Sequence, residues 1–366
     1  MDNNSDAGDQ ARLIHLLPGS DSGWNMSLQY MEDRGPWHRE KLWHTAHDGQ
    51  PAWIIPPLAH VGSGPSGLSF YPGTGLGPHF DQRFLLCDFR GGAANSSIRT
   101  FRVSPRGASF MPIDEEETFR NILATDVEVG PDGALWVSDW VHGWEGEGKG
   151  RLWRFLPKDR SVAEAAAVEE VRALLRADWK HVEPSRLVTL LGHADRRVRL
   201  EAQWEMARRG DADDLAAVAL DRQAPRLARV HAIQGLAQIA RAEVAAGGPG
   251  ASKLPFVSLF GDPAREIRMV AAREFGDSGV AVGASDRAGL VGLLHDEDLH
   301  VRGAAAIALG RIGRTSGPDA DVARVLATEA DGVAAADPHY RHAIVMGLTG
   351  MSDPAGLAAL ASNPSP

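Results

Sequence analysis

The sequence predicts a two-part β-plus-α protein, with repeated β-sheets over residues 1–158 and stacked helical repeats over residues 159–366. Eight of the ten tryptophans precede residue 160, in a region of short apolar runs separated by glycine and proline. That composition is typical of short strands joined by tight turns. From Ser161 onward the chain is rich in alanine, leucine and arginine, and its apolar residues recur with a helical period. Each region also repeats internally, and 366 residues are enough for two domains.

The first region contains two copies of one strand pattern. The segments GPSGLSFYPG (64–73), FLLCDF (84–89) and SIRTF (97–101) align in order with ATDVEVGPDG (124–133), LWVSDW (135–140) and RLWRF (151–155). Each copy reads as a strand, a proline-glycine turn, a strand ending in aspartate and an aromatic residue, a glycine-rich loop and a third strand. Four-stranded sheets of about 40–50 residues that repeat around an axis are the blades of a β-propeller. Residues 11–24 suggest an earlier unit, so we expect a partial propeller of about three to four blades.

The second region repeats an arginine followed by a small or apolar residue three positions later and an apolar residue seven positions later. The arginines are Arg199, Arg229, Arg268, Arg302 and Arg341. This spacing places the following residues on one helix face. Three copies carry an upstream aspartate, in HADRRVR, GDPAREIR and HDEDLHVR, where we expect a turn or a helix N-cap. We expect each arginine to pair with an aspartate of the neighbouring repeat. The pattern resembles the HEAT repeat and predicts an α-solenoid of about five two-helix units.

Composition argues against several classes of protein. The formal net charge of −10 disfavours nucleic-acid binding, which needs a basic surface. No apolar run is long enough to predict a membrane span, and the acidic, polar N-terminus does not read as a signal peptide. The single cysteine, Cys87, excludes a disulfide framework, a cysteine zinc site and a covalently attached haem within this chain. We expect Cys87 to be a buried structural residue.

Several segments of the first region together resemble one known family. They are DNNSDAGDQARL, GSDSGWNMSLQY, RGPWHREKLWH, GPSGLSFYPGTGL, LLCDFRGG, GASF, ATDVEVGPDGALWVSDWVHGW and GKGRLWRF. They resemble the end of the propeller in the membrane-bound dehydrogenase-type, haem-binding proteins of planctomycetes and their relatives. That propeller is similar to the soluble glucose/sorbosone dehydrogenases, which use pyrroloquinoline quinone and calcium. In the family, HEAT-like repeats follow the propeller, often with a cytochrome c domain after them.

The resemblance implies a fragment of a quinone-dependent, sugar or alcohol dehydrogenase-like oxidoreductase that works outside the cytoplasm, in the periplasm or as a secreted protein. Its HEAT repeats would dock a protein partner such as a cytochrome c. The family keeps its catalytic base in the first half of the propeller, which this sequence lacks, so no catalytic residue is assigned and enzyme activity stays open. The alternative is a non-catalytic scaffold that binds protein or glycan through the propeller and the solenoid.

A candidate metal site lies at the N-terminus. Asp2, Asn3, Asp6 and Asp9 place four oxygen-bearing side chains within eight residues. Clustered oxygen ligands suit calcium, which takes 6–8 of them. The resemblance favours a calcium site here, and the alternative is an ordinary polar loop.

The candidate cofactor-binding residues are Arg90, Asp126 and Lys149. Arg90 follows the first strand-ending aspartate, and a guanidinium facing a central channel would bind a carboxylate-bearing quinone. Asp126 precedes a strand near the axis, where propellers bind ligands, and Lys149 lies in a glycine-rich loop that could reach an anion. The alternatives are structural. Asp88 and Asp139 would accept hydrogen bonds from neighbouring turns, and Lys149 would be an ordinary solvated lysine.

Overall fold

The computed structural model describes residues 11–21, 55–145, 148–248, 250, 254–280 and 282–361. The chain divides into two compact units, Met1–Val168 and Glu169–Pro366, called here the β unit and the α unit. The division falls inside helix α1 (Val162–Leu174), a little beyond the boundary predicted at residue 158. The residues before α1 belong to the β unit because Arg160 Nη2 donates to the carbonyl oxygens of Gly75 (2.9 Å) and Gly133 (2.6 Å).

The described part of the β unit contains three antiparallel sheets. Sheet I pairs β1 (Arg12–Leu13) with β2 (Ala59–His60). Sheet II is a meander of β3 (Pro65–Phe70), β4 (Phe84–Asp88), β5 (Ser97–Arg106) and β6 (Ser109–Arg120). Sheet III is a meander of β7 (Ala124–Val129), β8 (Leu135–Asp139) and β9 (Arg151–Phe155). Short 3-10 helices, Pro78–Phe80 and Ala93–Asn95, lie in the loops of sheet II.

The internal repeat predicted from the sequence is present in the strand pairing of sheets II and III. In β3 the pairing register shifts between Pro65 and Gly67, and in β7 it shifts between Ala124 and Asp126, the aligned residues. The hydrogen bond that closes each hairpin base is also repeated. Phe89 N donates to Gly64 O at 2.6 Å, and its counterpart Trp140 N donates to Leu123 O at 2.9 Å. The two sheets are therefore copies of one backbone design.

Both faces of sheet II are buried, because side chains alternate between the two faces of a strand. One core cluster joins sheets II and III and includes Leu85, Cys87, Ile98, Val127 and Val137. A second cluster covers the opposite face of sheet II, where Leu86 and Phe101 pack against Leu13 and Val61 beside sheet I. The buried Cys87 fits the structural role predicted from its apolar run.

The described part of the α unit consists mainly of helices. After α1 these are α2 (Pro184–Leu190), α3 (Arg196–Arg209), α4 (Ala212–Leu220), α5 (Arg226–Ala245), α6 (Arg265–Asp277), α7 (Ala284–Leu293), α8 (Leu299–Ser316), α9 (Ala320–Ala330), α10 (Val333–Ala336), α11 (Pro338–Met351) and α12 (Pro354–Ala361). Short 3-10 helices cover Trp179–His181 and Val257–Gly261. None of the helices that the structure describes is long and apolar enough to cross a membrane.

The helices form two rows. Helices α3, α5, α6, α8 and α11 contact one another in series, and α2, α4, the 3-10 helix Val257–Gly261, α7 and α9 pack against them in the same order. Each of the five predicted arginines is the fourth residue of its helix in the first row. The apolar residues predicted to follow them are buried, apart from the half-buried Leu348. The helical period in the sequence thus identified the inner face of this row.

The predicted arginine–aspartate pairing between repeats is confirmed at two positions. Arg229 Nη2 lies 2.5 Å from Asp262 Oδ2, with both side chains buried, and Arg268 Nε lies 2.7 Å from Asp296 Oδ2. The prediction is wrong for Arg199, whose Nε donates to His231 Nε2 at 3.2 Å, and for Arg302, whose Nη1 lies 3.8 Å from Glu329 Oε2. In the described part of the chain, Arg199 has no aspartate partner because the next repeat, which contains Arg229, lacks the upstream aspartate motif.

The predicted N-cap role of the upstream aspartate is confirmed at α3 and α8. Asp195 Oδ1 accepts a hydrogen bond from Arg197 N at 2.9 Å, and Asp298 Oδ1 accepts one from His300 N at 2.9 Å. Asp262 does not cap α6, whose N-cap is Ala264, but its Oδ1 accepts from Ala264 N at 2.9 Å. All three carboxylates therefore hold the turn before their helix.

Candidate functional site

A cavity of about 350 Å³ opens at the base of the first hairpin of sheet II and is called here the Arg90 cavity. Its lining comes from the loop before β3 and the first residues of β3, the segment after β4 and one loop of sheet III. The lining residues are Ser63, Gly64, Pro65, Ser66, Phe89, Arg90 and Trp144. The first two segments meet because Pro65 pairs with Asp88 in the sheet.

The Asp88 carboxylate binds several of the residues that form this site. Its Oδ1 accepts hydrogen bonds from Ser63 N (2.8 Å) and Gly64 N (2.9 Å). Its Oδ2 accepts from Arg90 Nη2 at 2.7 Å and from Arg99 Nε at 2.9 Å. Burial disfavours the charged carboxylate, but the hydrogen bonds from Arg90, the two amides and Arg99 outweigh it and lower the pKa of Asp88 to about 2. Asp88 is therefore a fixed anion at neutral pH and orients the arginines.

Arg90 is the charged group that the cavity presents. Its Nε and Nη2 both donate to Asp88 Oδ2, at 3.0 Å and 2.7 Å, and its side chain is 35% exposed. The backbone amide of Arg90 donates to Ser96 Oγ at 2.9 Å, which fixes the loop. Among the described residues, Nη1 of Arg90 makes no hydrogen bond, so this end of the guanidinium can donate to a ligand. An arginine held on a carboxylate and open on one side is suited to recognising a second carboxylate.

Trp144 supplies an aromatic wall and was not predicted as a site residue. Its ring lies edge-on to Phe89, with centroids 5.1 Å apart, and the residue is 73% exposed. Gly91 makes room for it, because a Cβ on Gly91 would lie 2.2 Å from Trp144 Nε1. The backbone φ of Gly91 is +74°, which also favours glycine. Trp144 lies far from Arg90 in the sequence. The one sequence feature that could have pointed to it is its place just after the second strand of the second copy.

Asp126 and Lys149 do not line the Arg90 cavity. Asp126 is exposed at the start of β7, and its Oδ1 accepts a hydrogen bond from Val127 N at 2.9 Å. It packs against Gly67, the aligned residue of sheet II, since a Cβ on Gly67 would lie 2.7 Å from the Asp126 Cα. Lys149 is exposed in the loop before β9. Of the three residues predicted to bind a cofactor, the structure places only Arg90 in this cavity.

The proposed calcium ligands Asp2, Asn3, Asp6 and Asp9 lie outside the described residues. Among the residues that are described, no group of three or more histidine, cysteine, aspartate or glutamate side chains could hold a metal ion. The calcium site predicted from the sequence therefore stays a prediction.

Asp139 occupies in sheet III the position of Asp88 in sheet II. Its Oδ1 accepts a hydrogen bond from Val141 N and its Oδ2 accepts one from Trp153 Nε1, both at 2.9 Å. Trp153 aligns with Arg99, so the same strand position supplies the donor in each copy. The strand-ending aspartates therefore hold neighbouring turns and strands, as the structural alternative predicted, and only the first copy adds an arginine from its own loop.

In comparisons with known proteins, no family model matches this chain, and no curated protein matches it.

Proposed function

We propose that the β unit binds a planar, carboxylate-bearing small molecule in the Arg90 cavity, and that the α unit is a protein-interaction domain. The observation that carries the proposal is the Arg90 guanidinium, anchored on a buried carboxylate, open on one side and placed beside the Trp144 ring. The ligand class is that of pyrroloquinoline quinone, the cofactor implied by the resemblance of the sequence to quinone-dependent dehydrogenases. The fold supports the same reading, because sheets II and III have the repeated meander expected of propeller blades and the α unit has the two rows expected of HEAT repeats.

The donor set of the cavity fits such a molecule. A guanidinium matches the geometry of a carboxylate, and an indole face stacks on a planar ring system. The cavity volume of about 350 Å³ lies within the range of small-molecule sites. The lining is otherwise small, with two serines, a glycine and a proline beside Phe89, so a flat ligand can approach the backbone. The proposal covers binding, and no step of substrate oxidation is assigned to a residue of this chain.

Isothermal titration calorimetry of the full chain with pyrroloquinoline quinone tests this proposal. We expect saturable binding that Arg90→Gln weakens about tenfold or more, because a charged hydrogen-bond pair is lost. Trp144→Ala should weaken it about fivefold through lost stacking. The matched control is Arg102→Gln, which removes another exposed arginine of sheet II, paired with Asp114 outside the cavity lining. Equal affinities for Arg90→Gln and the wild type would show that the ligand site is elsewhere or absent.

Titration with citrate separates ring recognition from simple anion binding. Citrate carries three carboxylates and no ring, so we expect it to bind weakly and to be insensitive to Trp144→Ala. If citrate and the quinone bind equally well, the cavity is a general anion site and the quinone assignment is wrong.

The calcium part of the expectation is tested by thermal unfolding. We expect added calcium chloride to raise the Tm by several degrees, and a chelator to reverse the shift, because a ligand that binds only the folded state stabilises it. Asp6→Asn should reduce the shift, with magnesium chloride as the salt control. An unchanged Tm at millimolar calcium would remove calcium from the proposal.

The second candidate function is a non-catalytic scaffold, favoured by large apolar side chains exposed on consecutive helices of the α unit. Trp204 on α3 is 49% exposed, Leu220 at the end of α4 is 47% exposed, and Leu227 on α5 is 50% exposed. Exposed aromatic and aliphatic side chains are the usual anchors of protein interfaces. Because the resemblance implies a cytochrome c partner, the probe is a purified, soluble, basic cytochrome c.

Calorimetry with this cytochrome tests the scaffold function. We expect Trp204→Ala to weaken binding about tenfold and to leave the Tm unchanged, because the side chain is half exposed. The control variant is Val345→Ala, which truncates an apolar side chain of α11 that is 46% exposed. Loss of binding in both variants alike, or in neither, would contradict an interface centred on α3.

A further inference from the structure

The outer edge of sheet III is open where the same edge of sheet II is occupied. In sheet II, β5 pairs on one side with β4 and on the other with β6. In sheet III, β9 aligns with β5 and pairs with β8, and among the described residues no strand pairs with its other edge. The backbone repeat thus predicts a strand position beside β9 that the described chain does not fill.

The side chains of β9 are exposed to an unusual degree for a strand. Leu152 is 66% exposed, Trp153 is 40% exposed, and Leu156 just after the strand is 45% exposed. The aligned residue of Leu152 in sheet II is Ile98, which is fully buried. A strand edge with exposed apolar side chains is a ready template for pairing with another chain.

The charge of β9 selects the kind of strand that can pair there. Arg151 and Arg154 flank the two apolar residues, with side chains 56% and 44% exposed. Arg154 contacts Asp132 at 2.8 Å, while Arg151 is held loosely, 3.9 Å from Asp139. Opposite charges on facing strand positions stabilise a pair, and like charges destabilise it.

The protein itself shows what such a strand looks like. The edge of β5 that corresponds to the open edge of β9 is paired with β6, which carries the sequence IDEEETFR over residues 113–120. Phe119 faces Ile98, and Glu116 faces Thr100. Transferred to sheet III, the same register places an aromatic residue opposite Leu152 and a glutamate opposite Arg154. Only Arg120, which faces Ser97, would meet a like charge, at Arg151.

We propose that the open edge of β9 accepts an extended, acidic segment of a partner polypeptide, which completes sheet III as its fourth strand. Main-chain hydrogen bonds supply the affinity, as in other strand-addition complexes. Leu152 and Arg154 contact the side chains of the partner segment and provide the specificity. The partner segment has a large apolar side chain opposite Leu152 and acidic side chains opposite Arg151 and Arg154. This surface is separate from the Arg90 cavity, and the proposal does not depend on what that cavity binds.

The test is fluorescence anisotropy of the full chain with a labelled peptide of residues 113–120 carrying Arg120→Glu. We expect saturable binding, weakened about tenfold by Arg154→Glu, because an attractive pair becomes a repulsive one. A second peptide with Glu116→Lys should bind Arg154→Glu better than it binds the wild type. Leu152→Ser should also weaken binding, while Arg172→Glu, the same charge reversal on α1, should leave it unchanged. No binding at millimolar peptide, or no charge-swap recovery, overturns the proposal.

Hydrogen exchange measured by mass spectrometry locates the bound peptide. We expect the peptide to slow exchange in residues 151–155 and not elsewhere in the β unit. Two results overturn the proposal even if the peptide binds. Protection of every amide of residues 151–155 in the protein alone, beyond those bonded to β8, at a monomer mass, would show that the chain covers its own edge. The same protection with a concentration-dependent dimer mass would show that a second copy covers it.

Discussion

Sheets II and III share a backbone design but differ in the side chains that cover one of their two faces. In sheet II this face carries Leu85, Cys87 and Ile98, all fully buried against sheet III. The aligned residues of sheet III are Trp136, Ser138 and Leu152, with Arg154 and Asp126 beside them on the same face. They are partly or largely exposed.

The difference shows how one repeated hairpin is adapted to two positions. Hydrogen bonding and turn geometry are retained, because they depend on the backbone and on the strand-ending aspartate. The face chemistry changes with what packs on it, as in repeat proteins, whose terminal units carry a polar outer face. Side-chain substitutions in one copy can therefore be tested against the aligned position in the other.

The largest expected effect comes from truncating the aligned apolar pair on the third strand of each sheet. Ile98→Ala should lower the free energy of unfolding of the β unit by about 4 kcal/mol, because it leaves a cavity in a closed core. Leu152→Ala, its matched control, should change it by less than about 0.5 kcal/mol, because Leu152 is mostly in water. Urea unfolding followed by tryptophan fluorescence measures both. Similar losses in the two variants would mean that the sheets are equally covered.

The strand-ending aspartates should differ next. Asp88→Asn removes the carboxylate that Arg90 and Arg99 share. Arg99 keeps its ion pairs with Glu115 and Glu117, but Arg90 is left without an ion-pair partner, so the variant should cost about 3 kcal/mol. Asp139→Asn leaves two neutral donors, the Val141 amide and the Trp153 indole, and the exposed Arg151 at 3.9 Å, and should cost about 1 kcal/mol. The same urea titration compares them, and a larger loss in Asp139→Asn would contradict the assigned partners.

Acid should weaken the β unit through Asp88. The pKa of this carboxyl is lowered to about 2 in the folded protein, so the unfolded chain takes up a proton first as the pH falls. The contribution of Asp88 to the free energy of unfolding is therefore fully present above about pH 5. It should fall by about 2 kcal/mol as the pH approaches 2. Thermal unfolding across this pH range measures the loss. Asp88→Asn should show a shallower fall, and an equal fall in both proteins would assign the effect to other carboxyls.

The last comparison, with the smallest expected effect on stability, is the reactivity of a thiol at the aligned positions Cys87 and Ser138. Burial, aided by the Asp126 carboxylate, raises the pKa of Cys87 to about 12, so native Cys87 should not react with a disulfide reagent at pH 8. Ser138→Cys should add one thiol that reacts faster than Cys87 in the folded protein, because this position is partly exposed and Cys87 is fully buried. Counting thiols by absorbance before and after denaturation checks both, and rapid reaction of the wild type would show that the core between the sheets opens.

The repeat and the two-part architecture could be predicted because they depend on local signals. Pro72 and Pro131 occupy the same position in the aligned turns after β3 and β7, each followed within two residues by a glycine, and the arginine period marks one helix face. The Arg90 cavity was only half predicted. Trp144 enters it through a contact between loops, and the condition for that contact is the missing Cβ of Gly91, which no period or motif reports.

Pairing between distant residues was also partly beyond sequence reasoning. The aspartate partners of Arg229 and Arg268 followed from the repeat, but the contact of Arg199 with His231 did not, because it replaces an ion pair with a neutral ring. Likewise, the donor to the strand-ending aspartate is arginine in one copy and tryptophan in the other. A repeat predicts where a partner lies and leaves the identity of that partner to the individual copy.

The buried ion pairs of the α unit bear on how its length can change. Arg229 reaches Asp262, and Arg268, one repeat later, reaches Asp296. If residues 230–268 were deleted together, Arg229 would take the place of Arg268 and meet Asp296 in turn. Loss of one such repeat removes one arginine and one aspartate together, so the ion pair between these neighbouring repeats can form again when the helical stack is shortened by a whole repeat.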